Sequence, residues 1–169
     1  YMCSIQDKEH NEKHLEDVIC FVKELLKENI YGVNEDVVIL SAYWHDVGRI
    51  KTSEGHEKLS ANMLKDELQK LDYDDSFIIA CEKAIENHKW DMVPTTNEGW
   101  VLKDADKLAW LGLNRWKECL DNNQKLDLIM KNLPKLRNEI LHFDKSKEIY
   151  DKQIVELFEL LYKKEYEKI

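Results

Sequence analysis

His45 and Asp46 stand side by side at the end of an apolar run, VVILSAYW (37–44). Such a run is typical of a buried segment. An ionised Asp46 in the protein interior is costly unless it is paired, hydrogen-bonded or bound to a metal ion. Other parts of the chain must therefore supply a partner for this carboxylate.

Four further polar residues fall on or beside the apolar faces of predicted helices: His14, His56, His88 and Asp106. Asp106, for example, shares the helical spacing of Leu102, Ala105 and Ala109. A salt bridge or a helix cap would also explain that aspartate, and a hydrogen-bonded core histidine is the common explanation for any one of the histidines. A helix bundle, however, can bring all four together in its interior. The pattern therefore predicts that His45 and Asp46 form half of a metal site, completed from other helices.

The donor types restrict the metal. Histidine and aspartate suit Mn, Fe, Co, Ni or Zn, and Mg where carboxylates and waters dominate. The four cysteines, Cys3, Cys20, Cys81 and Cys119, form no CxxC pair, which excludes a closed four-cysteine zinc site. They are interpreted as reduced thiols of a cytoplasmic protein, with Cys20 and Cys81 packed among apolar residues.

The elements that must position these residues are all predicted to be helices, since no segment has a convincing strand pattern. Apolar spacing predicts helices over 12–29, 35–46, 56–70, 74–88, 99–111, 124–142 and 146–168, and a short one containing Trp116 and Leu120. Gly48 is expected to stop the second helix, and Pro134 to kink or break the 124–142 helix. The predicted apolar side of the last helix consists of Tyr150, Ile154, Leu157, Phe158, Leu161 and Tyr162.

Composition limits the class of protein. The chain has 169 residues, 43% of them hydrophobic and 35% charged, which predicts one globular domain with its own core. A net charge of −9 without a basic block argues against a nucleic acid polymer as partner. No apolar run reaches membrane-spanning length, so no membrane association is expected. No signal peptide is evident, and the first residue, Tyr1 rather than Met, is compatible with a trimmed beginning.

Three segments resemble the HD superfamily of metal-dependent phosphohydrolases: HNEKHLEDV (10–18), AYWHDVGR (42–49) and DADKLAWLG (104–112). They occur in the family's order, with a histidine on the first helix, an adjacent His-Asp pair and a late aspartate. The resemblance covers about residues 10–115. It implies an all-α, HD-domain-like helical bundle with a metal site in its interior. The whole chain, 1–169, is then one domain, with the helices of 124–168 packed on the motif-bearing core.

The resemblance also implies a set of metal ligands: His14, His45, Asp46 and Asp106. His10 is the less favoured choice for the first ligand, because the second histidine of such HxxxH segments resembles the ligand. In this reading Asp46 and Asp106 are also the catalytic residues, because they hold the metal and one of them orients the attacking water.

Two more segments, GHEKLSANML (55–64) and AIENHKW (84–90), resemble those that supply further histidines in two-metal members. His56 and His88 are therefore expected either to bind a second ion, bridged by Asp46, or to contact the substrate phosphate. One tightly held divalent ion is favoured over two.

The implied activity is hydrolysis of a small phosphorylated substrate, with nucleotides as the leading class, by a metal-activated water. Arg49 and Lys107 are the cations nearest to the ligands in sequence and are expected to bind phosphate. Alternatively, Lys107 is only solvated and Arg49 pairs with a surface acid. The loop 90–98 is a candidate rim or lid, and Trp90 or Trp100 a candidate for stacking on a base.

Two departures from the family's patterns narrow the activity. Lys89 follows His88 and no GYP triplet occurs, so the activity of the cyclic-dinucleotide phosphodiesterases is not expected. Arg49 stands where some nucleotidase members place an acid, so a general acid or base is missing or lies elsewhere. This leaves an alternative, a non-catalytic regulatory protein that binds a metal or a nucleotide. The last helix packs on the bundle or forms a homodimer contact.

Overall fold

The computed structural model describes residues 12–112 and 123–166, and every regular element in these two ranges is helical. The α-helices are α1 (Glu12–Leu26), α2 (Glu35–Trp44), α3 (His56–Lys70), α4 (Asp75–Glu86), α5 (Asn97–Trp110), α6 (Asn123–Lys135) and α7 (Asp144–Tyr166). A 3-10 segment (Val47–Ile50) follows α2, and a π-helical segment (Leu136–Ile140) follows α6. The prediction of an all-α helical bundle is confirmed.

The first five helices surround one apolar core. Helix α1 packs along α5, α3 packs along α4, and α2 contacts α1, α4 and α5. Side-chain caps fix where three of these helices begin, because each satisfies backbone N–H groups of a first turn. The capping residues are Asn34 for α2, Asp74 for α4 and Thr96 for α5.

A second, smaller apolar cluster joins α5 to the C-terminal helices. Leu108 of α5 and Leu136 of the π-helical segment are fully buried in it, together with Leu157 of α7. The Tyr150 hydroxyl donates a hydrogen bond of 2.8 Å to the Leu133 carbonyl and so links α7 to α6. Among the residues that the structure describes, no helix combines the length and apolar character needed to cross a lipid bilayer.

Several predicted boundaries were wrong. Helix α1 ends at Leu26 rather than 29, because the chain turns and Asn29 takes a left-handed conformation with φ of 50°. Helix α2 ends at Trp44, and Asp46 has left the helical conformation. Gly48 does not stop that helix. It lies buried in the 3-10 segment, where an added Cβ would stand 2.4 Å from the His56 carbonyl oxygen.

The expected irregularity in the 124–142 segment falls just beyond Pro134: α6 continues to Lys135 and then widens into the π-helical segment. The predicted apolar side of the last helix is too wide, since Phe158 is 49% exposed and Tyr162 61% exposed. Cys20 is exposed rather than packed, whereas Cys81 is buried as expected. The predictions for His10, Cys3, Cys119 and the short helix at Trp116 and Leu120 lie outside the described residues.

Candidate metal centre

Six buried polar side chains from five parts of the fold converge between the first five helices. They are His14 of α1, His45 at the end of α2, Asp46 after it, His56 at the start of α3, His88 after α4, and Asp106 of α5. None is more than 7% exposed. The structure thus brings together all the residues that the sequence nominated as metal ligands or as additional histidines.

Asp46 lies at the centre of this cluster, and its two oxygens face different histidines. Its Oδ2 is 3.5 Å from His45 Nε2 and 3.9 Å from His14 Nε2. Its Oδ1 is 3.0 Å from His56 Nε2 and 3.7 Å from His88 Nε2. We call the two sides the Oδ2 half and the Oδ1 half of the centre.

Asp106 completes the Oδ2 half. Its Oδ1 is 3.2 Å from His14 Nε2 and 3.9 Å from His45 Nε2. Ligand atoms of His14, His45 and Asp106 all lie within 4.8 Å of one another, a spacing that allows one ion to contact all three. A second group with the same spacing consists of His45, Asp46 and His88.

Three histidines are oriented by backbone carbonyls that lie close to their Nδ1 atoms. The distances are 2.7 Å from His45 to Ala42, 2.9 Å from His56 to Ser53, and 2.6 Å from His88 to Ile85. A carbonyl oxygen can only accept a hydrogen bond, so Nδ1 carries the hydrogen in each ring. A neutral ring then presents the lone pair of Nε2, the form in which histidine binds metals.

The surroundings of His45 favour this neutral form. Burial lowers the pKa of His45 to about 4, although Asp46 and Asp106 act in the opposite direction. Its buried Nε2 has no hydrogen-bond partner among the described residues. At neutral pH an Nε2 lone pair therefore faces carboxylate oxygens with no hydrogen between them. A cation between these atoms would remove the repulsion, so the donor set fits a divalent metal ion.

The two carboxylates are held in the ionised form that a metal requires. Burial alone would raise the pKa of Asp46, but His45, His56 and His88 outweigh it and hold the pKa well below its usual value. The pKa of Asp106 is likewise held low against burial, chiefly by the charge of Lys107 and the hydrogen bond to His14. At neutral pH both aspartates can therefore accept hydrogen bonds but cannot donate them.

The two cations nominated for phosphate binding contact these same carboxylates. Arg49 Nε donates a 2.8 Å hydrogen bond to Asp46 Oδ1, and Lys107 Nζ donates one to Asp106 Oδ2. Lys107 is buried, and the partner of Arg49 is a buried acid rather than a surface one. Lys107 is therefore not merely solvated, and Arg49 does form an ion pair, though not with a surface acid; phosphate binding by these two residues stays a prediction.

The aromatic side chains proposed for base stacking have partners within the protein. The Trp90 ring meets Trp110 edge-on at 5.5 Å between centroids, and the Trp100 ring stacks on His142 at 4.2 Å. Lys103, a buried residue that the sequence did not single out, donates a 3.3 Å hydrogen bond to the Trp90 carbonyl and another to the Met92 carbonyl. The loop after His88 is thus tied to α5.

Sequence reasoning also missed two buried acids, Glu57 and Asp104. Each lies within two residues of a nominated ligand and inside a segment with family resemblance, but each falls outside the predicted apolar stripe of its helix. A signal was available for Glu57 alone, since a glutamate directly after a nominated histidine could have been tested as that histidine's partner.

Comparison with known proteins agrees with this geometry. The family model of the HD domain matches residues 11–111, so the chain belongs to the HD domain family, a family of metal-dependent hydrolases. A crystal structure described as a predicted HD superfamily hydrolase from an uncultured Thermotogales bacterium is similar in fold, with a TM-score of 0.76 at 19% identity. The match covers 98% of this chain and 87% of the other. The search of curated proteins gave no match.

Proposed function

We propose that the protein is a metal-dependent phosphohydrolase that acts on a small phosphorylated substrate, with nucleotides as the leading class. The observation that carries the proposal is the buried Nε2 of His45, a neutral nitrogen that faces two ionised carboxylates without a hydrogen-bond partner among the described residues. Family membership supports the hydrolytic reaction. The buried His and Asp donors support the requirement for a metal.

In this proposal His14, His45, Asp46 and Asp106 hold one divalent ion tightly. When bound, the ion lowers the pKa of a coordinated water and polarises a phosphoryl oxygen. Asp106 would accept a hydrogen bond from the attacking water and so orient its lone pair toward phosphorus. Lys107 keeps that carboxylate ionised and, with its other hydrogens, neutralises charge on the phosphate.

The Oδ1 half binds more weakly. His56 and His88 share Asp46 Oδ1 with Arg49 Nε, which already donates to that oxygen. A second ion must compete with the guanidinium group for the same oxygen. We therefore propose that this half takes a second divalent ion with lower affinity, and that Arg49 released by the ion turns to the substrate phosphate.

A second candidate function is a non-catalytic regulator that binds a metal or a nucleotide. The observation that favours it is Arg49, because a cation paired with Asp46 replaces an acid that could protonate a leaving group. Turnover separates the two candidates, because the regulator would bind metal and nucleotide without releasing phosphate.

The first test measures metal content and turnover together. Protein purified without added metal or chelator is analysed by mass spectrometry, beside Asp46→Ala and a surface control, Asp75→Ala. We expect about one equivalent of metal in the wild type and the control, and none in Asp46→Ala. Turnover is then assayed on nucleoside mono-, di- and triphosphates and on a phosphate monoester and diester, with Mn²⁺, Ni²⁺ or Fe²⁺. Metal without turnover would favour the regulator, and no metal uptake would refute the metal-dependent hydrolase.

A further inference from the structure

The two histidines of the Oδ1 half belong to different elements, and the residues that follow them form an ion pair. Glu57 follows His56, Lys89 follows His88, and Glu57 Oε1 lies 3.6 Å from Lys89 Nζ. We propose that this pair is a clamp that fixes the separation of His56 and His88, and that it thereby sets the affinity of the Oδ1 half for a divalent ion. The inference rests on the proposed function, and it assigns Glu57 and Lys89 as positioning residues.

Burial of its acidic member distinguishes this pair from an ordinary surface salt bridge. Glu57 is 5% exposed, and its Oε2 has no hydrogen-bond partner among the described residues. A carboxylate kept in such a place costs free energy, whereas an apolar side chain there would not. Its position in the first turn of α3 offsets part of this free energy, because the helix dipole stabilises a negative charge there. The free energy that is not offset indicates that the Glu57 carboxylate is kept for its effect on His56 and His88.

Glu57 also acts on His56 directly. Its Oε2 is 3.5 Å from His56 Nδ1, the nitrogen whose hydrogen is directed at the Ser53 carbonyl. A carboxylate beside Nδ1 makes the opposite nitrogen, Nε2, a stronger donor to a metal ion. That Nε2 is the atom 3.0 Å from Asp46 Oδ1. Glu57 thus places its charge beside the nitrogen of His56 that the Ser53 carbonyl orients.

Lys89 transmits the same restraint to the other histidine. The rings of His56 and His88 lie edge to face with 5.4 Å between their centroids, and both direct Nε2 at Asp46 Oδ1. His88 follows the end of α4 and is not part of a helix. An ion pair at the next residue ties Lys89 to α3.

The pair is not needed to hold α3 and α4 together. Lys65 Nζ and Glu82 Oε1 already join these helices at 3.1 Å. Lys65 lies nine residues along α3 from His56, or about 13 Å at the helical rise. This α3–α4 ion pair gives a control with the same residue types and the same helix α3, but no adjacent histidine.

The experiment titrates Mn²⁺ into the full chain after chelator treatment, with calorimetry as the readout. We expect the wild type to bind one ion tightly and a second more weakly. Glu57→Gln and Lys89→Met should weaken the second event at least about tenfold and leave the first unchanged. Lys89→Arg, which preserves the ion pair, should retain both events, and Glu82→Gln should behave as the wild type. Lys89 is partly exposed, so its variants should fold even if Glu57→Gln does not.

The outcomes separate the clamp from the function on which it rests. A wild type that binds no Mn²⁺ would refute the proposed function together with the clamp. A wild type with one tight event and no weaker one would refute the weaker second ion of the Oδ1 half and, with it, the clamp, but not the hydrolase with its one tightly held ion. The clamp alone would be refuted by variants in which both events weaken equally, or in which Glu82→Gln weakens the second event as much as Glu57→Gln. A lower melting temperature with an unchanged ratio of the two affinities would reduce the pair to a structural role.

Discussion

Two aspartates on α5, two residues apart, are both buried and yet lie in opposite environments. Asp106 faces the inner cluster of histidines, where its Oδ1 is 3.2 Å from His14 Nε2. Asp104 faces the C-terminal helices and accepts 3.0 Å hydrogen bonds from the backbone N–H groups of His142 and Phe143, just before α7. Burial raises the pKa of Asp104, whereas the charges around Asp106 hold its pKa well below the usual value.

The difference between these two environments teaches how to tell a structural acid from a functional one. The oxygens of Asp104 are taken up by N–H groups that need an acceptor, so this residue completes the fold. Asp106 instead adds its charge to a cluster whose other members are histidine nitrogens with lone pairs and a second carboxylate. Burial is common to both, and the identity of the neighbouring atoms decides the role.

The largest expected effect is that of Asp106→Ala. This substitution removes a ligand of the Oδ2 half, so we expect Mn²⁺ affinity and phosphate release to fall by more than about 100-fold, beyond the usual effect of a residue that only supports a ligand. Metal content by mass spectrometry and turnover on the best substrate are the measurements. Full metal content in Asp106→Ala would contradict the assignment of Asp106 as a metal ligand.

A smaller effect is expected for Asp104→Ala, the matched variant on the other face of α5. The N–H groups of His142 and Phe143 would lose their acceptor, which should lower the free energy of unfolding by about 1–3 kcal/mol. The metal content should stay at that of the wild type. Urea unfolding and mass spectrometry test the two parts separately, and a loss of metal without a loss of stability would remove the contrast between the two aspartates.

The smallest expected effect is a dependence of stability on pH that comes from His45 in the candidate metal centre. His45 takes up a proton near 6.5 in the unfolded chain but only near a pKa of about 4 when folded. The unfolded state therefore holds more protons between these values, and stability falls as pH drops through this window. Between pH values of about 7.5 and 5.5, the metal-free protein should lose about 1 kcal/mol on this account.

Urea unfolding of chelator-treated protein at the two pH values measures this loss, with His45→Gln as the reference. The variant has no such group, so its stability should change less over the same range. Equal pH dependence in the two proteins would mean that His45 is not kept neutral by its burial.

Much of the fold and of the site followed from short-range patterns. Apolar spacing predicted the helices of the described ranges to within a few residues, and polar residues on apolar faces marked all six members of the cluster. Those residues were recognisable because an ionisable side chain in an apolar stripe conflicts with burial. The conflict is visible within one helix, at Asp106 for example, without knowledge of what that helix packs against.

The remainder depends on contacts between distant segments. Helix α5 is buried on nearly every side, so Lys103 and Asp104 are buried although they lie off the predicted stripe. A single-stripe pattern assumes one solvated face, which α5 lacks. The ion pairs of Arg49 with Asp46 and of Lys107 with Asp106 are a different case: they are short-range, but the sequence assigned both cations to the substrate phosphate and not to the neighbouring carboxylates.

Gly48 has a consequence for how this protein tolerates inherited variation. The Gly48 N–H donates a 2.8 Å hydrogen bond to the Ser60 hydroxyl of α3, and a Cβ at this position would collide with the His56 carbonyl. Any replacement therefore requires the backbone at position 48 or at His56 to shift, although the glycine contributes no atom to the candidate metal centre. In a library covering every amino acid at each position, position 48 should be as intolerant as the proposed metal ligands.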